Sequence, residues 1–423
     1  MRSGFSRSLG ALVAPLAVLS AFAADPSKPG AFDWPQWQGQ DRTAVSKEKG
    51  LLQEWPKEGP KLLWSVKELG GGYSTPSIAA GRIFGMSARD RDEGVWALRE
   101  SDGKELWWTP IGPKVKAGYD QGPRCTPTVD GDVLYALGMG GDLVCLEVDS
   151  GKLVWKKNLL KDFKGRVGGW KYSESPVVDG DRLLVTPGGK DNTIVALDKK
   201  SGDLIWGSKV PGNNEAAYSS IVVADVDGQK QYVQFLSTHV VGVAARDGKY
   251  LWSYGDKEKR FPGIVCSTPI YHKSQVYAAA SYNKGGGAVK LSRKGDEVET
   301  EEVYFDNKFQ NHHGGLVLID GYLYGEGSGQ LVCIEFATGK EMWRAREAGK
   351  GSIAAADGRL YYRNEGGPVH LYDANPEKAV KRGTFKQPDR SSHNAWPHPV
   401  IANGRLYLRD QDVLLVYDVK KKP

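Results

Sequence analysis

Residues 175–206 read SPVVDGDRLLVTPGGKDNTIVALDKKSGDLIW, and this stretch decides the fold. It starts with Ser-Pro, turns at Asp179-Gly180, runs through short apolar segments, turns again at Ser201-Gly202 and ends at Trp206. Asp-Gly between apolar runs predicts a tight β-hairpin, because both central residues of a type I′ turn need positive φ. The stretch therefore predicts four short antiparallel strands.

The same pattern recurs along nearly the whole chain, with clear copies at residues 75–107 and 126–155. An aromatic residue ends most copies and marks the period: Trp64, Trp107, Trp155, Trp206, Trp252, Tyr304 and Trp343. An interval of about 40–50 residues is typical of β-propeller blades. No segment keeps a 3.6-residue apolar period, so we predict an all-β protein with little helix.

Eight units can be counted by their first residues: Thr75, Thr126, Ser175, Ser220, Thr268, Gly315, Ser352 and His398. The last unit has no outer strand after it, whereas residues 61–66 (KLLWSV) form an outer strand without a blade. We predict an eight-bladed β-propeller of four-stranded blades over residues 61–419, closed by that N-terminal strand, which leaves no open ring edge. Seven blades is the alternative.

The remaining segments lie outside the repeat. Residues 1–23 combine a basic start, a short apolar run and Ala21-Phe22-Ala23, which predicts a secretory signal peptide cleaved after Ala23. The apolar run is shorter than the ~20 residues of a spanning helix, so we expect no transmembrane segment. Residues 24–60 predict an irregular arm, and residues 420–423 a basic tail. We expect a periplasmic or extracellular protein.

Charge and cysteine positions exclude some partners and bonds. The formal net charge is +6, or +4 without Arg2 and Arg7, and basic residues alternate with acidic ones, so no nucleic-acid surface is predicted. Cys145 and Cys333 occupy the same strand position in two units far apart around the ring, and Cys125 and Cys266 lie near the starts of inner strands in non-adjacent units, so no disulfides are expected. We predict free thiols.

The register of Asp-Gly, the strand Ile194 to Asp198, Ser201-Gly202 and Trp206 resembles the PQQ-like repeat. Quinoprotein alcohol dehydrogenases and BamB-like outer-membrane assembly factors share this repeat. The resemblance covers residues 61–419 and implies the propeller fold. The chain is most similar to exported PQQ-binding-like propeller proteins, which often begin with an element like Trp34-Pro35-Gln36-Trp37.

Three departures from those families bear on function. Quinoprotein enzymes typically carry two adjacent cysteines over the cofactor, and this chain has none; it also lacks the C-x-x-C-H of a haem-bearing version. No residue matches their calcium or catalytic motifs, so no catalytic residue is assigned. BamB-like factors are usually lipoproteins with a cysteine at the cleavage site, where this chain has Ala23-Ala24, so no lipid anchor is expected.

Candidate ligand-binding residues stand just before the Pro position of each unit, because propeller ligands usually enter the channel mouth there. Side chains at this position vary while the blade framework is kept. The candidates are Tyr73, Arg124, Glu174, Tyr218, His312, His313, Trp396 and His398, with Cys266 at the same position. A solvated channel, or hydrogen bonds between neighbouring blades, is the alternative interpretation.

Two local arrangements lead to specific expectations. If His312 and His313 lie on a strand, alternation allows only one imidazole to face the channel. No His, Cys or carboxylate spacing of a zinc type is present, so no metal ligand is predicted. Arg124 and Glu174, from adjacent blades, predict an ion pair or, alternatively, a contact to a polar ligand.

The residues and the resemblance together predict a non-catalytic binding or scaffolding propeller for a protein, peptide or glycan partner of the cell envelope, without a cofactor. The competing interpretation is a PQQ-dependent oxidoreductase with an atypical site, holding PQQ with Ca²⁺ at the channel mouth. A fold hosts many functions, so the site must decide between them.

Overall fold

A computed structural model describes Met1 and residues 30–117, 122–212, 214–256, 260–261 and 264–422. The predicted signal peptide lies outside these ranges, except for Met1. In the described chain the strands form eight sheets of four or five strands, and in seven of the eight blades the four blade strands pair antiparallel in chain order. The predicted eight-bladed, all-β propeller is therefore confirmed, and the seven-bladed alternative is wrong.

Two strands precede the blades: β1 (Val45–Ser46) and β2 (Lys61–Val66). Blade one comprises β3 (Ser77–Ala79), β4 (Arg82–Arg89), β5 (Asp92–Arg99) and β6 (Glu105–Pro113), and blade two comprises β7 (Thr128–Asp130), β8 (Val133–Leu137), β9 (Asp142–Glu147) and β10 (Leu153–Asn158). Blade three comprises β11 (Val177–Asp179), β12 (Arg182–Val185), β13 (Val195–Asp198) and β14 (Leu204–Gly207), and blade four comprises β15 (Val222–Val226), β16 (Gln229–Phe235), β17 (Val240–Ala244) and β18 (Tyr250–Tyr254).

Blade five comprises β19 (Ile270–His272), β20 (Gln275–Ala280), β21 (Gly285–Lys294) and β22 (Glu297–Asp306), and blade six comprises β23 (Leu316–Ile319), β24 (Tyr322–Glu326), β25 (Leu331–Glu335) and β26 (Glu341–Ala345). Blade seven comprises β27 (Gly351–Ala356), β28 (Arg359–Asn364), β29 (Val369–Asp373) and β30 (Lys381–Phe385), and blade eight includes β31 (Val400–Ala402), β32 (Arg405–Asp410) and β33 (Val413–Asp418). Helix is confined to α1 (Leu159–Asp162) and a 3-10 turn at Arg346–Ala348 within the described ranges. Neither is long and apolar enough to cross a membrane.

Strand β2 closes the ring as the sequence predicts. It pairs antiparallel with β33, so the fourth strand of blade eight comes from the N-terminal side of the chain. First and last blades are thereby joined through backbone hydrogen bonds, and the ring keeps no open end.

A β-bulge explains why a tryptophan ends most repeats. In all eight blades the pairing of the third and outer strands shifts by one residue immediately before the repeat's aromatic position, as at Val154 before Trp155. Such a bulge bends the strand and re-aims the next side chain. Trp155 then packs on Gly202 of the following blade, and its Nε1 donates to the Lys199 carbonyl at 3.1 Å.

The arm supplies the aromatic residue that blade seven lacks. Gly383 occupies the repeat's tryptophan position, and Trp55 from the arm fills the space, with its backbone N–H bonded to the Arg382 carbonyl at 2.9 Å. Trp55 also contacts Tyr361 at a ring distance of 5.6 Å, just as Trp155 contacts Tyr135 at 5.9 Å. The arm is thus an integral part of the ring's packing.

The first part of the arm crosses the central channel. Five of its backbone or side-chain contacts reach the inner strands, or the residues leading into them, of five different blades: Trp34 with Ile78, Pro35 with Val129, Arg42 with Pro176, Trp37 with Thr268 and Ala44 with Ala355. Inner strands surround the channel, so a segment that touches five of them must lie across it. The channel is therefore closed on the arm's side.

Candidate functional site

A cavity of about 280 Å³ opens at the channel mouth, and we call it the cup. Each of the eight blades contributes the residue two positions before the first residue of its unit. These eight lining residues are Tyr73, Arg124, Ser173, Tyr218, Cys266, His313, Lys350 and Trp396. One repeat position on a constant scaffold thus supplies eight side chains to one pocket, and seven residue types are represented among them.

The arm contributes Trp37 to the same cup. Its ring lies 4.7 Å from that of His398, and its Nε1 donates to Thr268 Oγ1 at 3.1 Å. Because residues 34–44 cross the channel, ligand access to the cup is from the opposite side. The sequence marks Trp37 as part of the arm, but its place in the pocket follows only from the tertiary fold.

Seven of the eight predicted site residues line the cup, and Glu174 does not. Its side chain is buried in the ring and accepts bonds from the Thr186 N–H (2.7 Å), Thr186 Oγ1 (3.0 Å) and Gln234 Nε2 (3.1 Å). Burial raises the pKa of Glu174 to about 8. The neighbouring Ser173 lines the cup instead.

The predicted ion pair between Arg124 and Glu174 is wrong. Arg124 Nη1 donates to the Trp170 carbonyl at 3.1 Å, and its guanidinium lies 5.9 Å from the Tyr73 ring and 5.8 Å from the Trp170 ring. Arg124 Nη2 is buried and has no hydrogen-bond acceptor in the described part of the protein. A cation held between aromatic faces lines the cup.

Both imidazoles of the His312-His313 pair reach the cup, which corrects the expectation that only one would. The two residues precede β23 in non-strand backbone, so strand alternation does not apply to them. Their Nδ1 atoms lie 3.1 Å apart, and the Trp396 ring lies 5.2 Å from the His313 ring at an interplanar angle of 41°. Burial lowers the pKa of His312 to about 4 and holds the pKa of His313 well below its usual range, so both rings are neutral at pH 7.

Five charged or aromatic lining residues are absent from the sequence-based set, and they are Trp37, Trp170, Tyr282, Lys350 and Glu365. Lys350 and Glu365 form an ion pair across the cup wall at 3.2 Å, and Tyr282 stands at the rim with 62% of its surface exposed. Lys350 lies two residues before Ser352, the first residue of unit seven, so counting back two residues from each unit would have predicted it. Glu365 and Tyr282 lie in other loops, so no repeat position marks them.

All four cysteines are free thiols, and Cys266 is the one that lines the cup. Within the described ranges, no three His, Cys, Asp or Glu side chains are grouped so that they could hold a metal ion.

Comparison with known proteins places the chain in a family. A family model described as outer membrane protein assembly factor BamB matches residues 24–111, 91–345 and 327–421. Among similar proteins, BamB of Shewanella oneidensis is 22% identical over 83% of this chain and 86% of its own length. The tetrathionate hydrolase of Acidithiobacillus ferrooxidans is 24% identical over 51% of this chain.

Coverage of the relatives is uneven. The match spans 43% of the tetrathionate hydrolase, and 60% of BamB of Nitrosomonas eutropha, to which this chain is 25% identical over 60% of its own length. The chain therefore matches less than two thirds of the length of these two relatives.

Solved structures agree on the fold. BamB of Moraxella catarrhalis superposes with a TM-score of 0.58 at 14% identity, covering 86% of this chain and 98% of that one. Quinohemoprotein alcohol dehydrogenase of Comamonas testosteroni superposes with a TM-score of 0.63 at 13% identity, covering 96% of this chain and 83% of that one. Such low identities establish a shared fold alone. Because the family model matches residues 24–421 throughout, the chain belongs to the family of the outer membrane protein assembly factor BamB.

Proposed function

We propose that this protein is a non-catalytic binding or scaffolding propeller of the cell envelope, which takes a protein, peptide or glycan partner at the cup. Membership in the BamB family supports a role in the envelope. The observation that carries the proposal is the construction of the cup, in which eight blades present varied side chains at one repeat position. Side chains that vary on a fixed scaffold are how such a ring builds a specific pocket.

The size and lining of the cup fit recognition of a small part of a larger partner. Its volume of about 280 Å³ is near the lower limit of small-molecule pockets, roughly 300 Å³. Aromatic rings and a few polar groups line it, which is the usual composition of a binding pocket. Closure of the channel by the arm leaves one route of entry, so the remainder of a partner would lie on the mouth face of the ring.

The competing interpretation is a PQQ-dependent oxidoreductase. Calcium prefers six to eight oxygen ligands, several of them carboxylates. Glu365 is the single carboxylate among the described residues lining the cup, and it is already paired with Lys350. These residues therefore do not fit a calcium ion beside a quinone, and we derive no reaction through that cofactor.

The proposal includes export through a signal peptide at residues 1–23, with residence in the periplasm or outside the cell. Fractionation of cells that produce the full chain, followed by N-terminal sequencing of the mature protein, tests this part. A mature terminus at Ala24 in the periplasmic or culture fraction is expected. A cytoplasmic protein that retains Met1 would contradict it.

Site-specific photo-crosslinking in cells tests where a partner binds. Benzoylphenylalanine would replace Tyr282 at the cup rim or, as matched control, Leu204 on the outer perimeter, where 49% of the side chain is exposed. We expect a discrete crosslinked partner from position 282 and none from position 204. Crosslinks from position 204 alone would move the binding surface to the perimeter and contradict a cup site.

Titration with PQQ tests the competing enzyme, with quenching of tryptophan fluorescence as readout, since Trp37, Trp170 and Trp396 line the cup. Saturable binding that requires Ca²⁺ would support the oxidoreductase. Absence of calcium-dependent binding is the result that the lining residues lead us to expect.

A further inference from the structure

The charges that line the cup do not balance. The described lining residues include two cations, Arg124 and Lys350, and one carboxylate, Glu365. Their net formal charge is therefore +1. Lys350 pairs with Glu365 at 3.2 Å, whereas no ion pair of Arg124 is found within the described ranges. The charge of Glu93, which does not line the cup, acts on Arg124, but burial raises the pKa of Glu93 to about 7, so this carboxyl is only partly ionised at neutral pH. A largely buried cation that is only partly compensated is costly, so Arg124 favours a further anion.

Other titratable groups in the cup do not supply the missing negative charge. Burial raises the pKa of the Cys266 thiol to about 12 and the pKa of Tyr73 to about 12, so both are neutral at pH 7. Burial also lowers the pKa of His398 to about 4, and this ring is neutral as well. Among the described lining residues, the cup at neutral pH therefore holds two fixed cations, one carboxylate and neutral groups.

Cys266 lies in the part of the cup that both cations influence. The charges of Arg124 and Lys350 both act against the rise of the Cys266 pKa that burial causes. All three residues line the cup. An anionic group above Cys266 would thus lie in the field of both cations, and attraction between charges is strong where water is largely excluded.

Aromatic faces surround this position. Tyr73 and Trp396 lie 4.5 Å apart between ring centroids, and Tyr73 and Trp170 flank the Arg124 guanidinium. Aromatic side chains offer large apolar contact area with few rotatable bonds. The cup is therefore suited to a small anion that carries an apolar or ring-shaped neighbour.

We propose that the cup recognises a carboxylate group borne next to a ring, with the carboxylate between Arg124 and Lys350 and the ring against Tyr73, Trp170 and Trp396. This inference rests on the proposed function, since it names the ligand chemistry of the same site. A protein partner presents such a group at a C-terminal aromatic residue, and a glycan presents it in a uronic acid.

Matched pairs of small ligands test the inference on the wild-type protein. N-acetylphenylalanine is compared with N-acetylphenylalaninamide, and methyl glucuronide with methyl glucoside, by isothermal titration calorimetry at low salt. We expect at least one acid to bind about tenfold or more tightly than its neutral counterpart, and its affinity to fall as salt is added. The two arms separate a peptide terminus from a glycan as the source of the carboxylate.

Two charge variants sharpen the test. Arg124→Gln is expected to reduce the affinity for the acid about tenfold and to leave the affinity for the neutral counterpart unchanged. Glu365→Gln removes the opposing carboxylate and is expected to increase the affinity for the same acid. Circular dichroism and thermal melting check that both variants fold, while the wild-type comparison stands without them.

Equal affinities for acid and neutral ligand, or no binding of either acid at millimolar concentration, would overturn the inference. Crosslinking from position 282 with equal acid and neutral affinities would leave the cup as a partner site without the proposed charge preference. Absence of any crosslinked partner from position 282 would instead contradict the proposed function itself.

Discussion

The outer perimeter of the ring and the cup use the same repeat in opposite ways. On the perimeter, five of the eight blades place an aromatic ring against a turn glycine of the next blade, as Trp107 does on Gly151 and Trp206 on Gly248. In the cup, one position per blade carries tyrosine, arginine, serine, cysteine, histidine, lysine or tryptophan. Constant geometry demands a constant residue on the perimeter, whereas a pocket needs different residues at equivalent places.

The exception on the perimeter supports this difference. Blade seven has Gly383 where the others have an aromatic residue, and Trp55 of the arm restores the missing ring. Packing is therefore preserved even where the repeat's own residue is lost. In the cup no such restoration is needed, because variation there leaves the blades intact.

Removal of a perimeter ring should have the largest effect. Trp155→Ala and Trp55→Ala are each expected to destabilise the protein by about 3–5 kcal/mol, the usual cost of truncating a buried tryptophan. Denaturant unfolding followed by circular dichroism measures this. Leu153→Ala is the control, since 48% of that side chain is exposed, and it should change stability by less than about 0.5 kcal/mol. A Trp55→Ala variant as stable as the wild type would show that the arm does not complete blade seven.

Adding a methyl group at a turn glycine should have the next largest effect. Gly248 (φ +73°) and Gly180 (φ +62°) are both left-handed, but a Cβ on Gly248 would lie 2.4 Å from the Trp206 ring and one on Gly180 would meet nothing within 4 Å. Gly248→Ala should therefore cost about 1–3 kcal/mol more than Gly180→Ala, because overpacking adds to the shared backbone strain. Equal melting temperatures would show that the perimeter contact is loose.

The buried Glu174 should make stability depend on pH. Burial raises its pKa from 4.5 to about 8, so between these values the folded state holds a proton that the unfolded state has lost. Its contribution to stability is complete below pH 4.5 and is lost as the pH rises to 8. The loss is at most about 1.4 kcal/mol for each pH unit crossed in this interval.

Glu174→Gln tests this expectation because the amide has a similar shape and does not titrate. Relative to the wild type, the variant should gain stability as the pH rises from 4.5 to 8, measured by unfolding at several pH values. His398→Gln is a counterpart of opposite sign. The lowered pKa of His398, about 4 against 6.5, removes stability as the pH falls through that interval. A constant difference between wild type and Glu174→Gln would mean that Glu174 is ionised in the fold.

A change at the cup rim should have the smallest effect on stability. Tyr282 is 62% exposed, so Tyr282→Ala should alter the unfolding free energy by less than about 0.5 kcal/mol. Because Tyr282 lines the cup, its removal should nevertheless weaken binding of the acid in the calorimetric test by about two- to tenfold. A large stability loss with unchanged affinity would reverse the assignment of packing to the perimeter and binding to the cup.

Repeat counting predicts most of the fold and part of the cup. The blade number, the closing strand and seven lining residues follow from it, since each depends on a position relative to a turn. Glu174 is one residue out of register, and its side chain is buried in the ring. The expectation for His312 and His313 is wrong because those residues lie outside the strand. Glu365 and Tyr282 come from loops that no repeat position marks.

By itself the sequence determined the ring. Hairpin turns, apolar runs and aromatic residues are local features, and their repetition at a constant interval predicts the strands and the blades. Tertiary structure alone decided that the arm crosses the channel, that Trp55 completes blade seven and that Arg124 and Lys350 share one cup with Glu365. These arrangements join residues from distant parts of the chain. Their proximity depends on the closed ring, and no local pattern encodes it.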